Sequence, residues 1–113
     1  MHHPIFADYA YLLGNEIKSN SIDFGIAICG SGIGISIALN KIKGVYCAKV
    51  NNALEASFTK VDNNTNVVAF SSNTSLDEAV KIVDTFIHTE FSKIERHQQR
   101  IDKIKKIESE LHG

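Results

Sequence analysis

Apolar and polar residues alternate along the chain in blocks that predict helices and strands in turn. Residues 24–29 (FGIAIC), 45–50 (VYCAKV) and 66–70 (NVVAF) are short, nearly continuous apolar runs. Such runs are typical of strands that are covered on both faces. Because segments with helical spacing separate them, the pattern predicts an α/β fold with three layers, in which a parallel sheet carries helices on both faces.

The helical segments carry recognisable ends. The first extends through about Lys18, with Pro4 as a suitable first residue. The second is expected to stop at Gly44, since glycine is favoured just after a helix. Ser75 and Glu78 have the spacing of a capping box at the start of a later helix.

Two further helices are predicted from their apolar positions. Leu54, Phe58 and Val61 mark a helix that ends in the polar stretch 62–66. The last segment predicts a long C-terminal helix of roughly 18 residues with one narrow apolar stripe. The stripe consists of Ile94, Ile101, Ile104, Ile107 and Leu111. It must pack against its own domain or against a second subunit.

Composition limits the classes of protein that fit. At 113 residues, 43% hydrophobic and with a net charge of -1, the chain suits one globular domain without a basic surface for nucleic acid. Its apolar runs are shorter than the ~20 residues that span a bilayer. Cys29 and Cys47 belong to no CxxC pair, which argues against zinc and disulfides and favours the cytoplasm.

A glycine-rich loop follows the first predicted strand and contains the first candidate chemistry. Gly30, Gly32 and Gly34 follow Cys29 with GxGxG spacing, which differs from both the P-loop and the GxGxxG pattern. A strand, such a loop and a helix together place backbone N–H groups where an anion is stabilised. Cys29 at this position is open to three interpretations: a catalytic thiolate, a phosphoryl carrier or a small buried side chain.

The segment RHQQR lies in the C-terminal helix. Arg96 and Arg100 are four residues apart, so both guanidinium groups lie on one side of the helix and could converge on one phosphate. A solvated charged face is the default interpretation of this pattern alone. His97 is expected at the surface.

Four segments in this order resemble the type B ribose-5-phosphate isomerases and the related galactose-6-phosphate isomerase subunits. They are CGSGIGISIALNKIKGV, NNTNVVAF, IVDTFIHTEF and RHQQRIDKI, and the likeness extends from about Pro4 to Ile107. The resemblance implies a Rossmann-like sheet, homodimers or higher oligomers whose active sites use both subunits, and aldose–ketose isomerisation of a sugar phosphate through a cis-enediolate. It implies neither a cofactor nor a metal.

The resemblance also implies roles for particular residues. Cys29 corresponds to the base that moves a proton between C1 and C2, and Ser31 lies close to the reacting oxygens. Asp62 occupies the position of the family's ring-opening histidine, and with a usual pKa of ~3.9 it is charged at neutral pH. The implied substrate-binding residues are Gly30, Gly32, Ile33, Gly34, Asn63, Arg96 and Arg100.

The chain departs from the family at its start, because family members begin with a further strand, helix and strand. We therefore expect residues 1–113 to form a single, N-terminally incomplete isomerase domain. FGIAIC would then be an exposed apolar edge of the sheet, and an oligomer is expected to cover exposed apolar surface of this kind.

The principal hypothesis is interconversion of ribose 5-phosphate and ribulose 5-phosphate with Cys29 as base. Two alternatives remain: a non-catalytic or partner subunit of a sugar-phosphate isomerase, and a phosphotransferase-system IIB domain with a phosphocysteine.

Overall fold

Strands and helices alternate along the chain as the apolar pattern predicts. The computed structural model describes residues 6–19 and 22–112, so the predicted helix start at Pro4 lies outside it. The elements are α1 (Phe6–Lys18), β1 (Gly25–Cys29), α2 (Ile33–Leu39), β2 (Cys47–Lys49), α3 (Ala53–Asn63), β3 (Val67–Ser71), α4 (Leu76–His88) and α5 (Glu95–His112).

The three strands form a parallel sheet in the order β1-β3-β2. Residues 67–70 of the central strand β3 are fully buried, as expected for a strand with neighbours on both sides. Gly25 pairs with Val67 at one end of the sheet and Cys29 pairs with Ser71 at the other. The predicted edge position of FGIAIC is confirmed, since β1 has one strand neighbour and Ile28 is 51% exposed.

Apolar side chains pack on both faces of the sheet, which confirms the three-layer prediction. On one face α1 and α2 cover the sheet, and the fully buried Leu39 lies in this core. On the other face α3 and α4 pack around Ile82 and Phe86. Ser75 accepts a hydrogen bond from the backbone N–H of Glu78 at 3.2 Å, so the predicted cap of α4 is present.

The second helix ends earlier than predicted. It stops at Leu39, five residues before Gly44, because the side chain of Asn40 turns toward strand β2. The Asn40 amide donates to the carbonyl of Cys47 and accepts from its N–H, both at 2.8 Å. This pair supplies β2 with the hydrogen bonds that a neighbouring strand would give. Gly44 has a φ of 89°, and it serves the turn before β2.

The apolar face of α3 does not pack as its pattern suggests. Leu54 and Phe58 are 64% and 53% exposed, whereas Ala56 and Lys60 face the sheet. Of the residues that marked this helix, Leu54 and Phe58 therefore form an uncovered apolar surface, whereas Val61 is partly buried.

Helix α5 begins and ends close to the predicted limits and has 18 residues. Of its stripe, Ile101 is buried and the other four isoleucine and leucine residues are exposed. A second anchor comes from Glu108, whose carboxylate accepts hydrogen bonds from the Tyr46 hydroxyl at 2.9 Å and the Gly44 N–H at 3.2 Å. Across the described residues, every helix is too short or too polar to cross a membrane.

Candidate active site

The loop after β1 folds tightly against the neighbouring strand. Gly32 has a φ of 79°, a conformation that glycine adopts without strain. A Cβ at this position would lie 2.8 Å from the backbone carbonyl carbon of Phe70. Position 32 therefore requires glycine for two reasons, whereas a Cβ on Gly30 would meet no atom within 4 Å.

Strand β3 fixes this loop through Ser71. The Ser71 hydroxyl donates to the carbonyl of Gly30 at 2.6 Å and accepts from the N–H of Asn73 at 3.0 Å. The next residue, Ser72, donates its N–H to the Cys29 carbonyl at 2.8 Å. Motif reasoning did not select Ser71, because a serine after a strand carries no distinctive spacing.

The sulfur of Cys29 lies within the ring of backbone N–H groups that this loop forms. The N–H of Gly32 donates to Sγ at 3.3 Å. The pKa of the Cys29 thiol is lowered, above all by the backbone N–H of Ile35. Burial opposes this shift, and the backbone N–H groups of Gly32, Ser31 and Gly34 add to it. Hydrogen bonds to sulfur favour the thiolate, so Cys29 has the environment of a nucleophile or base.

Two of the predicted anion-binding N–H groups have partners inside the loop itself. The Gly32 N–H donates to Cys29 Sγ, and the Ile33 N–H donates to the hydroxyl of Ser31 at 3.1 Å. Ser31 is exposed and lies two residues from Cys29 in sequence. The loop thus directs much of its N–H array at the thiol itself.

Cys47 differs from Cys29 in every respect that affects reactivity. It is buried in the core, and burial raises the pKa of its thiol to about 12. Both cysteines are free thiols. Within residues 6–19 and 22–112, no group of three His, Cys, Asp or Glu side chains is arranged to hold a metal ion.

A second set of predicted site residues gathers where the end of α3 meets the start of α5. Asp62 and Asn63 close α3, and the Asp62 carboxylate lies 3.6 Å from Nε2 of His97. The expected surface position of His97 is wrong: the residue is 7% exposed. Its ring is buried because α3 and the segment before α5 cover it.

Arg96 and Arg100 flank this buried histidine. Both are exposed, and in the described part of the chain neither guanidinium group forms an ion pair. Their i,i+4 spacing on α5 places them on one side of the helix, as predicted.

The two sets of residues lie at opposite ends of the sheet. Cys29 and its loop follow the carboxyl end of β1, whereas Asp62 and Asn63 precede the amino end of β3. Asn63 lines a pocket with Asp23 and Asn66, which also lie just before strands begin. A five-residue strand is about 13 Å long. One chain therefore does not bring its loop and its arginine helix together.

Known proteins resemble this chain over nearly its whole length. A family model described as "Ribose/Galactose Isomerase" matches residues 2–104. A probable ribose-5-phosphate isomerase B of Mycoplasma genitalium is 43% identical over 107 residues, which are 93% of this chain and 70% of the relative.

Solved structures agree in fold. The ribose-5-phosphate isomerase B of Mycoplasma genitalium with bound ribulose-5-phosphate has a TM-score of 0.89 at 41% identity, covering 97% of this chain and 73% of that one. The type B ribose 5-phosphate isomerase of Trypanosoma cruzi has a TM-score of 0.94 at 34% identity, covering 99% and 73%. The chain thus spans about 70% of the length of these relatives. The matches favour the isomerase interpretation of the cysteine loop over the phosphoryl-carrier interpretation, and the chain belongs to the ribose/galactose isomerase family.

Proposed function

We propose that the chain is an aldose–ketose isomerase that interconverts ribose 5-phosphate and ribulose 5-phosphate, with Cys29 as the base. The observation that carries the proposal is the ring of backbone N–H groups around Cys29 Sγ, which lowers the pKa of the thiol. The names of the relatives support the substrate class, since they are ribose-5-phosphate isomerases and one holds ribulose-5-phosphate.

The proposed reaction moves one proton between two neighbouring carbons. The Cys29 thiolate takes the proton from C2 of the open-chain aldose, and the electrons of that bond form the enediolate. The resulting thiol returns the proton to C1 while the proton of the C2 hydroxyl passes to O1, which gives the ketose with its carbonyl at C2 and the thiolate restored. A base with a pKa near neutrality suits this step. In the proposed mechanism, Ser31 and the N–H of Gly30 would stabilise the developing oxyanion.

Arg96 and Arg100 supply the proposed phosphate site. Their guanidinium groups are exposed and unpaired among the described residues, so a phosphate need not displace an internal carboxylate. Two arginines on one side of a helix match the oxygen atoms of a phosphate group well. An anchored phosphate would hold C1 and C2 of the sugar beside the sulfur.

Each active site would combine residues of two subunits. Helix α3 runs from the carboxyl end of the sheet to its amino end, over about 16 Å for 11 residues. If two copies pack their exposed Leu54 and Phe58 faces antiparallel about a two-fold axis, the end of one α3 approaches the start of the other. Asp62 and Asn63 of one subunit would then lie beside the Cys29 loop of its partner. A homodimer is therefore part of the proposal.

The chemistry also favours a reducing compartment. A thiolate base works only while Cys29 remains unoxidised, and both cysteines are free. This supports a cytoplasmic location.

The direct test is formation of ribulose 5-phosphate from ribose 5-phosphate by the purified chain. We expect Cys29→Ala to lower kcat by a factor of about 10²–10⁴, as loss of a general base does. Cys47→Ala removes the buried thiol, and we expect it to leave kcat within about threefold, since Cys47 lies outside the proposed site.

Two results would overturn the proposal. Wild-type protein that folds without isomerising ribose 5-phosphate would favour the alternative of a partner subunit. Equal activity of wild type and Cys29→Ala would exclude the thiol as the base.

A further inference from the structure

His97 makes two specific contacts through its two ring nitrogens. Nδ1 lies 2.8 Å from the hydroxyl of Ser92, and Nε2 lies 3.6 Å from Oδ1 of Asp62. The residue is 7% exposed, so a substrate arriving from solvent does not reach the ring directly. The histidine therefore joins α5 to the segment before it and to the end of α3.

The partners of the two ring nitrogens indicate which of them carries the proton in the neutral ring of His97. The Ser92 hydroxyl oxygen already accepts the N–H of Ile94 at 3.2 Å, and the Ser92 N–H donates to the carbonyl of Val61 at 3.2 Å. Its own O–H is then available to donate to Nδ1 of His97. The Asp62 carboxylate can only accept a hydrogen bond, so we assign the ring proton to Nε2, with the Ser92 O–H donating to Nδ1.

Asp62 presents its carboxylate partly to this ring and partly to solvent. The side chain is 48% exposed, and Oδ2 has no hydrogen-bond or ion-pair partner among the described residues. Oδ1 is the atom that faces His97 Nε2. A distance of 3.6 Å exceeds a normal hydrogen bond, but catalytic contacts in unliganded proteins often shorten when the ligand binds.

We propose that His97 is a positioning residue for Asp62. This role rests on the proposed isomerase function. The Nε2–H of His97 holds Oδ1 and thereby directs Oδ2 toward the sugar, where the carboxylate takes the proton of the anomeric hydroxyl and gives it to the ring oxygen as the bond between C1 and that oxygen breaks. A carboxylate only accepts hydrogen bonds, and among the described residues His97 supplies the donor that faces Asp62.

Activity measurements test the contact by a double-mutant cycle. We expect His97→Met to lower kcat about tenfold with KM within about twofold, because orientation and not binding is lost. His97→Gln retains an N–H at the position of Nε2 and should restore kcat to within about threefold of wild type. In an Asp62→Asn background, His97→Met should cause no further loss.

Two results of this double-mutant cycle would refute His97 as a positioning residue for Asp62. An equal tenfold loss in both backgrounds, or a loss confined to KM, would show that His97 acts independently of Asp62. Thermal unfolding of each variant accompanies the kinetics, and His97→Gln serves as the folded reference if His97→Met unfolds.

A readout that needs no activity comes from ¹⁵N NMR of the imidazole rings, with His97 signals assigned by their loss in His97→Gln. We expect Nδ1 without a proton and Nε2 with one, and a change of the Nε2 signal in Asp62→Ala with Nδ1 little altered. An Nε2 signal that does not respond to Asp62→Ala would refute the contact even in an active enzyme. If the contact is present but the wild type is inactive, the proposed isomerase function fails and the role in proton transfer fails with it.

Discussion

At the scale of single residues, the loop after β1 depends on one glycine more than on the others. Gly32 combines a positive φ with a close approach to Phe70, whose backbone carbonyl carbon would lie 2.8 Å from a Cβ at position 32. Gly30 faces open space. Substitutions at these two positions can therefore separate the folding role of the loop from its proposed role in substrate binding.

We expect Gly32→Ala to lower the free energy of unfolding by about 1–3 kcal/mol, because the new methyl group is strained and presses on β3. Gly30→Ala is the matched control and should leave stability within about 0.5 kcal/mol, while raising KM because its methyl group occupies space beside the proposed substrate. Urea unfolding monitored by circular dichroism checks both. Equal stability of the two variants would contradict the close approach of Gly32 to Phe70.

Lys60 is the charged residue that the core buries most fully among the described residues. It is 4% exposed, and its Nζ lies 3.8 Å from the ring centroid of Phe24 and 4.8 Å from that of Phe86. Burial lowers the pKa of its ammonium group, which means that the folded state holds this proton less firmly than the unfolded chain does. Between the lowered pKa and about 10.4, stability thus rises with pH.

We predict that Lys60→Met stabilises the protein at pH 7 by about 1 kcal/mol, which is about 4–8 °C in Tm for a domain near this size. Methionine keeps the volume and the contact with both rings but removes the buried charge. The advantage should shrink as pH rises toward about 10.4. Lys81→Met, at an exposed position of α4, is the control. A variant less stable than wild type at pH 7 would mean that the contacts of the ammonium with the two rings outweigh its desolvation.

The positions of the glycine loop after β1 and of RHQQR on α5 were predictable, because their spacing fixes local geometry. The burial of His97 was not, since it depends on Asp62 and Ser92, which come from two other segments. In the sequence, a histidine between two arginines suggests a solvated helix face. Only the fold shows that the end of α3 covers His97. Ser71 escaped prediction for the same reason: its hydrogen bond to Gly30 joins residues 41 positions apart.

At the scale of elements, apolar periodicity identified the helices and strands but not all of their surroundings. Helix α2 ended early because Asn40 binds strand β2, a contact that its position in the sequence does not reveal. The apolar spacing of α3 correctly predicted a helix, but its residues Leu54 and Phe58 face solvent and not the core. Apolar periodicity indicates which face of a helix is buried in the native protein, but it does not distinguish burial in the core from burial in a subunit interface.

Helix α5 depends on the contact of Tyr46 with Glu108. Burial and the neighbouring carboxylate raise the pKa of the Tyr46 hydroxyl to about 12. The folded pKa is raised, so the stabilisation is fully present below the unfolded pKa of about 10 and is lost as pH rises toward about 12.

We expect Tyr46→Phe to lower the free energy of unfolding by about 1 kcal/mol at pH 7. This is less than a fully buried hydrogen bond to a carboxylate would contribute, because the pair is partly exposed to solvent. The difference from wild type should disappear between about pH 10 and about pH 12, because wild-type Tyr46 then loses its proton as well. Melting temperatures across this range measure it, with Tyr11→Phe on the exposed side of α1 as the control. A difference that stays constant across the whole range would refute the contact.

At the scale of the whole molecule, the residues predicted for the active site fall into two separate sets. The Cys29 loop and the Arg96–Arg100 helix lie at opposite ends of one sheet, and apolar residues of α3 and α5 remain uncovered. The proposed two-fold dimer would account for both facts, because antiparallel packing of α3 would bring each loop toward the partner's arginines. Sequence reasoning reached the shared site only through family resemblance, whereas the topology of the chain now supports it on physical grounds.

Complementation between two inactive variants tests this claim most directly. Cys29→Ala disables the loop, and the double variant Arg96→Ala, Arg100→Ala disables the phosphate site, so each alone should be inactive. After unfolding and refolding together in equal amounts, half of the dimers are mixed and each contains one intact site. The account predicts about a quarter of wild-type activity per subunit for random pairing in a two-fold dimer, with dimers seen in sedimentation. Activity no greater than the sum of the separate variants, in a mixture that sedimentation shows to contain mixed dimers, would contradict the shared active site.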